Sequence, residues 1–571
     1  MRKFTLICFV ALVAVVFGTA SNCRRQSADA VTVALPEKFS SFDTLTSVAA
    51  PDASAERVKS LIFNALVRKN ERFEYVGELA KEINTSADGM TITFVLQDNV
   101  KFHNGKMLTS ADVKYTFDEL LKTDPKTGKA ASFKGAAFYD SVPVDKVDVK
   151  ATPTPVPSPA ANTNANANAN ANAAPKPAAE IPMKAVPQIS KIEVPDAKTI
   201  VFTVTRPALK NQLLSNMVAI PIIPEGTVGQ LKDNPVGSGP YKFVNFDASQ
   251  NIVELASNAD YWEGAPKVQK LRIKTVTDAT ALQAELQTGG VDIAPNPNNL
   301  PPDMLNALGG NANLKVDQYD GSNIQYLVFN TSATVADHAN PLSNPKVRQA
   351  IGYAVDRQKI VNELLSGQAK PASSILPTGS WAYTPGTDYK FDPAKAKQLL
   401  QEAGYKGEPI SFKYAAGNAM INQYAQVIQS SLNDIGLNVQ IETLEVNVIR
   451  QQLAQGQFQM YTGIWIGGNQ DPIFLRDLFS STKIPGGTVA CCNRSRYKND
   501  AVDKNVEDAI NATDQAAAKQ LYGKVWDQVS ADMPLFPLWY PANIAVYNKR
   551  VGNIKLSGSG DWTFLKDITL N

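Results

Sequence analysis

The alternation of apolar and polar positions gives the first outline of this chain. Residues 31–35 alternate and predict a strand, and residues 56–66 place Val58, Leu61, Ile62 and Ala65 at helical spacing. Beyond the Asp88-Gly89 turn, Met90, Ile92, Phe94 and Leu96 share one face, the pattern of a half-buried strand. A second turn at Asn104-Gly105 leads into Thr109-Ser110-Ala111-Asp112. That capping-box pattern opens a helix carrying Val113, Phe117, Leu120 and Leu121. Ile200, Phe202 and Val204 mark another strand. Gly237-Ser238-Gly239-Pro240-Tyr241 lacks the spacing and the strand–Ser–helix context of a nucleophile elbow, so it reads as a glycine-dependent turn packed against another backbone. Residues 281–287 predict a short helix ending at Gly289-Gly290.

From residue 323 the rhythm changes. A strand over 323–329 precedes a helix capped by Asn344-Pro345. Asp356 caps a second helix that ends near Gly367, and a third runs from Asp392-Pro393 to Gly404. Ile410, Phe412 and Tyr414 form a strand, 420–435 a long helix, and Leu437, Val439 and Ile441 the next strand, which together predict a parallel crossover unit. Residues 458–479 then run from an apolar strand (Met460, Ile464, Ile466) through Gly467-Gly468 and Asp471-Pro472 into a helix start with Phe474, Leu475 and Leu478 on one face. Trp465 and Asp471 offer an aromatic surface and a carboxylate, suited to a small ligand. Taken alone, they read first as a buried strand followed by an Asp-capped helix. Helical patterns over 502–510 and 516–529 and strands over 535–539 and 544–547 complete the chain.

Composition narrows the possible functions. At 571 residues the chain exceeds one hydrophobic core, and 44% hydrophobic with 19% charged residues is ordinary for a globular protein. A formal charge of +2 without a basic run argues against nucleic acid as a partner. The two histidines, His103 and His338, form neither a metal cluster nor a catalytic context. Pro153, Pro155, Pro157 and Pro159, followed by alternating Asn and Ala, lack the large apolar groups that offset ordering entropy, so 151–187 is expected to be a disordered surface insertion.

The first residues read as an export signal. Arg2-Lys3 precede the apolar run 4–17, short of the roughly 20 residues a bilayer span needs. Small residues then lead to Cys23, an arrangement resembling a bacterial lipoprotein signal, which implies lipidation of Cys23. Ordinary secretion and an uncleaved anchor are the alternatives. With Cys8 in the signal, Cys491 and Cys492 remain, as a vicinal disulfide or as two thiols.

Read in order, Glu78-Leu79-Ala80-Lys81-Glu82, Asp88-Gly89 with Phe94, Val100 to Gly105, Leu108 to Val113, Gly237 to Phe243, Asn258 to Pro266, Val347 to Arg357, Ala394 to Gly404 and Pro534 to Leu538 resemble the family 5 extracellular solute-binding proteins of ABC importers, the oligopeptide- and dipeptide-binding type. The resemblance covers roughly residues 31 to 550. It implies an α/β, two-lobed periplasmic-binding-protein fold of type II, the large peptide-binder variant with an extra subdomain in lobe I. The implied organisation is a signal at 1–23, lobe I from 24–66, 218–280 and 526–571, the extra subdomain at 67–217, and lobe II at 281–525. It further implies a monomer that takes a peptide or other small molecule between its lobes, with a lipid anchor in the membrane, an ABC permease as partner and no cofactor. The implied ligand-contacting residues are Phe39, Trp465, Gly468, Asp471, Trp539 and Tyr540. Peptide-binding relatives carry an amine-pairing Asp three residues after the tryptophan, where this chain has Gly468. Asp471 matches the acidic-Pro step that follows. A sugar or other small solute, or a non-transport receptor role, is the alternative reading.

Overall fold

The computed structural model describes residues 29–48, 53–125, 130–143, 183–206, 209–296, 300–465, 471–486, 492–512 and 514–571. Cys23, Gly468 and most of the 151–187 segment lie outside the described residues. Among those described, no helix is long and apolar enough to cross a membrane.

Two large sheets organise the molecule. The first has seven strands in the order Tyr241–Asp247, Ile252–Ser257, Lys270–Thr275, Ala30–Leu35, Ile293–Pro295, Asn543–Asn548, Leu314–Tyr319. The second has six, in the order Ala369–Pro371, Leu535–Pro541, Ile324–Phe329, Met460–Trp465, Pro409–Ala415, Asn438–Leu444. The crossover unit read from the sequence is present: Pro409–Ala415 and Asn438–Leu444 pair in parallel around the helix Ala419–Asp434. Ile324–Phe329, a continuous apolar run, is buried at every position because it is central and covered on both faces. Thr91–Leu96 and Thr199–Val204 alternate in burial because only one face of their four-stranded sheet meets the core.

That smaller sheet shares one continuous core with the first large sheet, where Phe94 and Phe202 join Val33, Leu255 and Ile273. Thr109 and Asp112 close the expected capping box, and Gly289 and Gly404 end their helices at φ 77° and 69°. The helix Ala53–Ile62 stops short of Leu66 because the Ile62 carbonyl turns to accept the Gly239 amide at 2.8 Å. A Cβ on Gly239 would lie 2.6 Å from the Leu61 oxygen, and one on Gly237 would meet the Ile62 oxygen more closely still. The Gly-Ser-Gly turn therefore needs its glycines for close backbone approach.

The lobe boundaries differ from expectation. Residues 281–319 stay with the seven-stranded sheet, where the helices Ala279–Thr288 and Pro302–Gly309 cover one face in a core with Ala34, Ala294, Leu314 and Val546. Residues 526–541 stay with the six-stranded sheet through the strand Leu535–Pro541. The chain thus passes between the sheets near 320–323 and near 541–543, not at 281 and 525. Periodicity reports which face of a strand is apolar, and carries no information about its pairing partner. Residues 183–187, expected within the disordered insertion, form the strand Met183–Pro187, zipped antiparallel to Tyr139–Pro143.

Candidate functional site

A hairpin from the side of the seven-stranded sheet reaches the six-stranded side. Its strands Val67–Lys69 and Tyr75–Gly77 pair antiparallel, with Lys69 opposite Tyr75. Asn70 shapes the tip, its side-chain oxygen accepting from the Arg72 and Glu74 amides at 2.9 and 3.0 Å. The tip carbonyl of Arg72 accepts the Trp381 amide at 3.1 Å across the gap. Beside it, the Tyr75 hydroxyl donates to the Asp471 carboxylate. Two segments 396 residues apart in sequence thereby meet through one side-chain hydrogen bond.

Asp471 is 5% exposed. Its second oxygen accepts the Ile473 amide at 2.8 Å, and its carbonyl accepts the Phe474 amide at 3.0 Å. This is an Asx turn ahead of the helix Phe474–Phe479, whose cap position is Ile473, so Asp471 does not cap the helix as a plain reading of the sequence suggests. Around the carboxylate stand Lys69, Tyr75 and, from the helix Gln515–Asp532, Tyr522. Burial, reinforced by the Asp471 charge, pushes both tyrosine hydroxyls well above their ordinary range, so they stay protonated. Burial draws the Lys69 amine down to about 8, with Asp471 opposing.

The other expected site residues are dispersed. Phe39 is 3% exposed and packs on Phe42 and Phe246 at 4.6 and 5.2 Å between ring centres, inside the lobe I core. Trp465 ends its strand opposite Ile324, and its side chain lies outside the described residues. Trp539 packs edge-on to Tyr424 at 5.1 Å on one face of the six-stranded sheet. Tyr540 belongs to the core on the other face, where its hydroxyl engages the carbonyls of Ser374 and Leu376 at 2.7 and 2.8 Å. Trp539 and Tyr540 therefore do not line one wall together, since neighbouring residues of a strand face opposite ways. Lys69, Tyr75 and Tyr522 were not foreseen: an alternating Val67–Lys69 before a polar turn hints at a hairpin, but nothing local says what its tip meets.

Near the Phe474–Phe479 helix lies a cavity of about 40 Å³, lined by residues including Tyr326, Tyr461, Phe479, Cys492 and Arg494, room for an ordered water or two. Cys492 is disulfide-bonded, and its partner lies outside the described residues. Among the described residues no cluster of His, Cys, Asp and Glu suits a metal ion.

The family model for bacterial extracellular solute-binding proteins, family 5, matches residues 74–486. The probable D,D-dipeptide-binding periplasmic protein DdpA of Escherichia coli is 28% identical over 488 residues, which span 83% of this chain and 81% of that one. Among solved structures, the ABC transporter substrate-binding protein CtaP of Listeria monocytogenes has a TM-score of 0.74 at 22% identity, covering 95% of this chain and 99% of its own. The oligopeptide-binding protein AppA of Bacillus subtilis, solved with a nonapeptide, has a TM-score of 0.67 at 22% identity with the same coverage.

Proposed function

The chain belongs to the bacterial extracellular solute-binding proteins of family 5, and from that premise we propose that it captures peptides between its two lobes as the binding lipoprotein of an ABC importer. Lipidation of Cys23 tethers it to the outer face of the membrane, and a permease receives the ligand from the closed form. The observation that carries the reading is the buried Asp471 carboxylate at the meeting of the two sheet systems, already bonded across the gap by Tyr75. A carboxylate keeps about four acceptor sites, and Tyr75 and Ile473 occupy two, so a ligand ammonium can join them in a charge-assisted bond. In the open form the Tyr75 bond is absent. Ligand that touches both sides stabilises closure by its differential affinity for the two states.

A non-peptide solute is the second reading, favoured by Gly468 in the place where the resemblance puts an amine-pairing Asp. The substitution Asp471→Asn separates the two. The peptide reading expects affinity for unblocked peptides to fall by about a hundredfold on loss of one charge-assisted bond, with the melting transition nearly unchanged. Titration calorimetry giving unaltered affinity would reduce Asp471 to a turn residue.

A further inference from the structure

Lys69 is half-buried, but its side-chain nitrogen is fully covered within the interlobe cluster and left unfinished there among the described residues. The nitrogen has no solvent exposure and no hydrogen-bond partner among the described residues. Buried lysines elsewhere in this chain are completed. The Lys134 nitrogen donates to the Ala219 carbonyl at 2.8 Å and pairs with Glu56 at 2.7 Å, and Lys413 bonds Gln452 at 2.7 Å and Glu442 at 3.1 Å. An ammonium carries three donors, and burying it without acceptors is unfavourable unless something supplies them.

Among the described residues, what surrounds Lys69 supplies charge but no hydrogen bond to its nitrogen. Its nitrogen sits 5.4 Å from the centre of the Tyr75 ring, an attraction of the cation–π kind that leaves its N–H groups unused. Asp471 acts on it through space, while the carboxylate's own bonds go to Tyr75 and the Ile473 amide. The hairpin register directs Lys69 and Tyr75 to the same face, so the orphaned cation stands where the hairpin meets Asp471.

We infer that Lys69 is a ligand-anchoring residue of this cleft, its ammonium receiving a carboxylate of the bound peptide. The inference rests on the peptide reading above and narrows it: the preferred ligand is zwitterionic, its amine at Asp471 and its acid at Lys69. The amine, drawn down to about 8 by burial, is still mainly charged at neutral pH and gains further charge when an anion arrives. The acid is either the peptide's C-terminus or an acidic side chain, and both offer the same chemistry.

Three pools of di- to nonapeptides, all with a free amino terminus, distinguish these sources: free-acid peptides lacking Asp and Glu, the same peptides amidated, and amidated peptides with one Asp or Glu. Calorimetry on the full chain should show the first or third pool binding at least about tenfold tighter than the second, as expected for one charge-assisted bond. Lys69→Met should erase that preference and Lys69→Arg should keep it. Because Met removes an unsatisfied buried charge, the unliganded Lys69→Met protein should melt no lower than the parent. Equal binding of all three pools to the parent, or a preference that persists in Lys69→Met, overturns the role of Lys69 and leaves the peptide reading standing. A fall of several degrees in the melting temperature of Lys69→Met also overturns it, as the mark of a structural lysine. Failure of every pool to bind the parent overturns both.

Discussion

The polar cluster around Glu78 and the one between Lys69 and Asp471 bury the same kinds of groups, yet they are completed differently. Glu78 accepts from the Asn64 side chain and the Ala65 amide, each at 2.7 Å. Asn64 in turn accepts from Ser238 at 3.1 Å, Tyr261 donates to Glu263 at 3.1 Å, and Arg68 reaches Glu263 at 2.8 Å. His103 clamps the adjoining turn, its ring nitrogen 3.0 Å from the Gly239 carbonyl. These groups come from the segments 64–68, 78–82, 100–105, 237–243 and 258–264, and they meet within one sheet system. Across the lobes, by contrast, Lys69 keeps free donors and Asp471 keeps free acceptor sites among the described residues. A polar network that only holds a fold together is closed on itself, whereas one that awaits a ligand is left open.

If that contrast holds, breaking the closed cluster should cost stability, and breaking the open one should cost binding. The largest expected effect is Gly237→Ala, where the new Cβ meets the Ile62 carbonyl oxygen of a fixed helix end. A loss of about 4 kcal/mol in urea unfolding is expected, the range for overpacking against rigid backbone combined with a lost turn. A loss below about 1 kcal/mol would show that the turn relaxes freely.

The next effect lies in the pH dependence. Burial raises Glu78 to about 7 and lowers His103 to about 4. Glu78 contributes stability that is full below its unfolded value near 4.5 and is lost as pH rises through about 7. His103 contributes stability that is full above 6.5 and is lost as pH falls through about 4. Each shift corresponds to about 3 kcal/mol, with opposite sign over nearly the same window, so the two offset each other. His103→Gln should therefore unmask a stability that falls between pH 5 and 7 relative to the parent protein, read from urea midpoints at each pH. Parallel profiles for parent and variant would contradict the opposition.

In the open cluster, Asp471→Asn should lower stability by only about 1 kcal/mol, because an amide oxygen can still accept from Tyr75 or Ile473. The smallest change concerns 144–182. Tyr139–Pro143 and Met183–Pro187 already pair up to Pro143 and Met183, so replacing the segment by a two-residue Asn-Gly turn should alter stability by under about 1 kcal/mol and leave affinity intact. A loss of affinity would assign that segment a role in ligand capture.

Much of this architecture was legible because the deciding forces are local. Thr109 with Asp112, Asn344 before Pro345, and glycine at 289 and 404 mark helix ends by capping chemistry that acts within one turn. The Gly-Ser-Gly turn was legible as a close backbone contact for the same reason, though not that Ile62 would be the partner. The helix Val446–Gln455 was missed, since Glu445 is an unusual cap and Val446 and Val448 are exposed at 40% and 43%. The division into lobes was not legible, because Ile293–Pro295 is only three residues long and owes its place to Val33 and Tyr547, far away in sequence. At the site, Asp471 stood out as a carboxylate at a turn. Lys69 did not, because the burial of its nitrogen depends on groups such as Asp471 that lie some 400 residues further along the chain.

The most direct test of peptide capture is native mass spectrometry of the full chain purified without added ligand. The account predicts bound species that form a ladder spaced by amino-acid residue masses, lost together in Asp471→Asn. A single bound mass matching a sugar, or a ladder retained in full by Asp471→Asn, would contradict it.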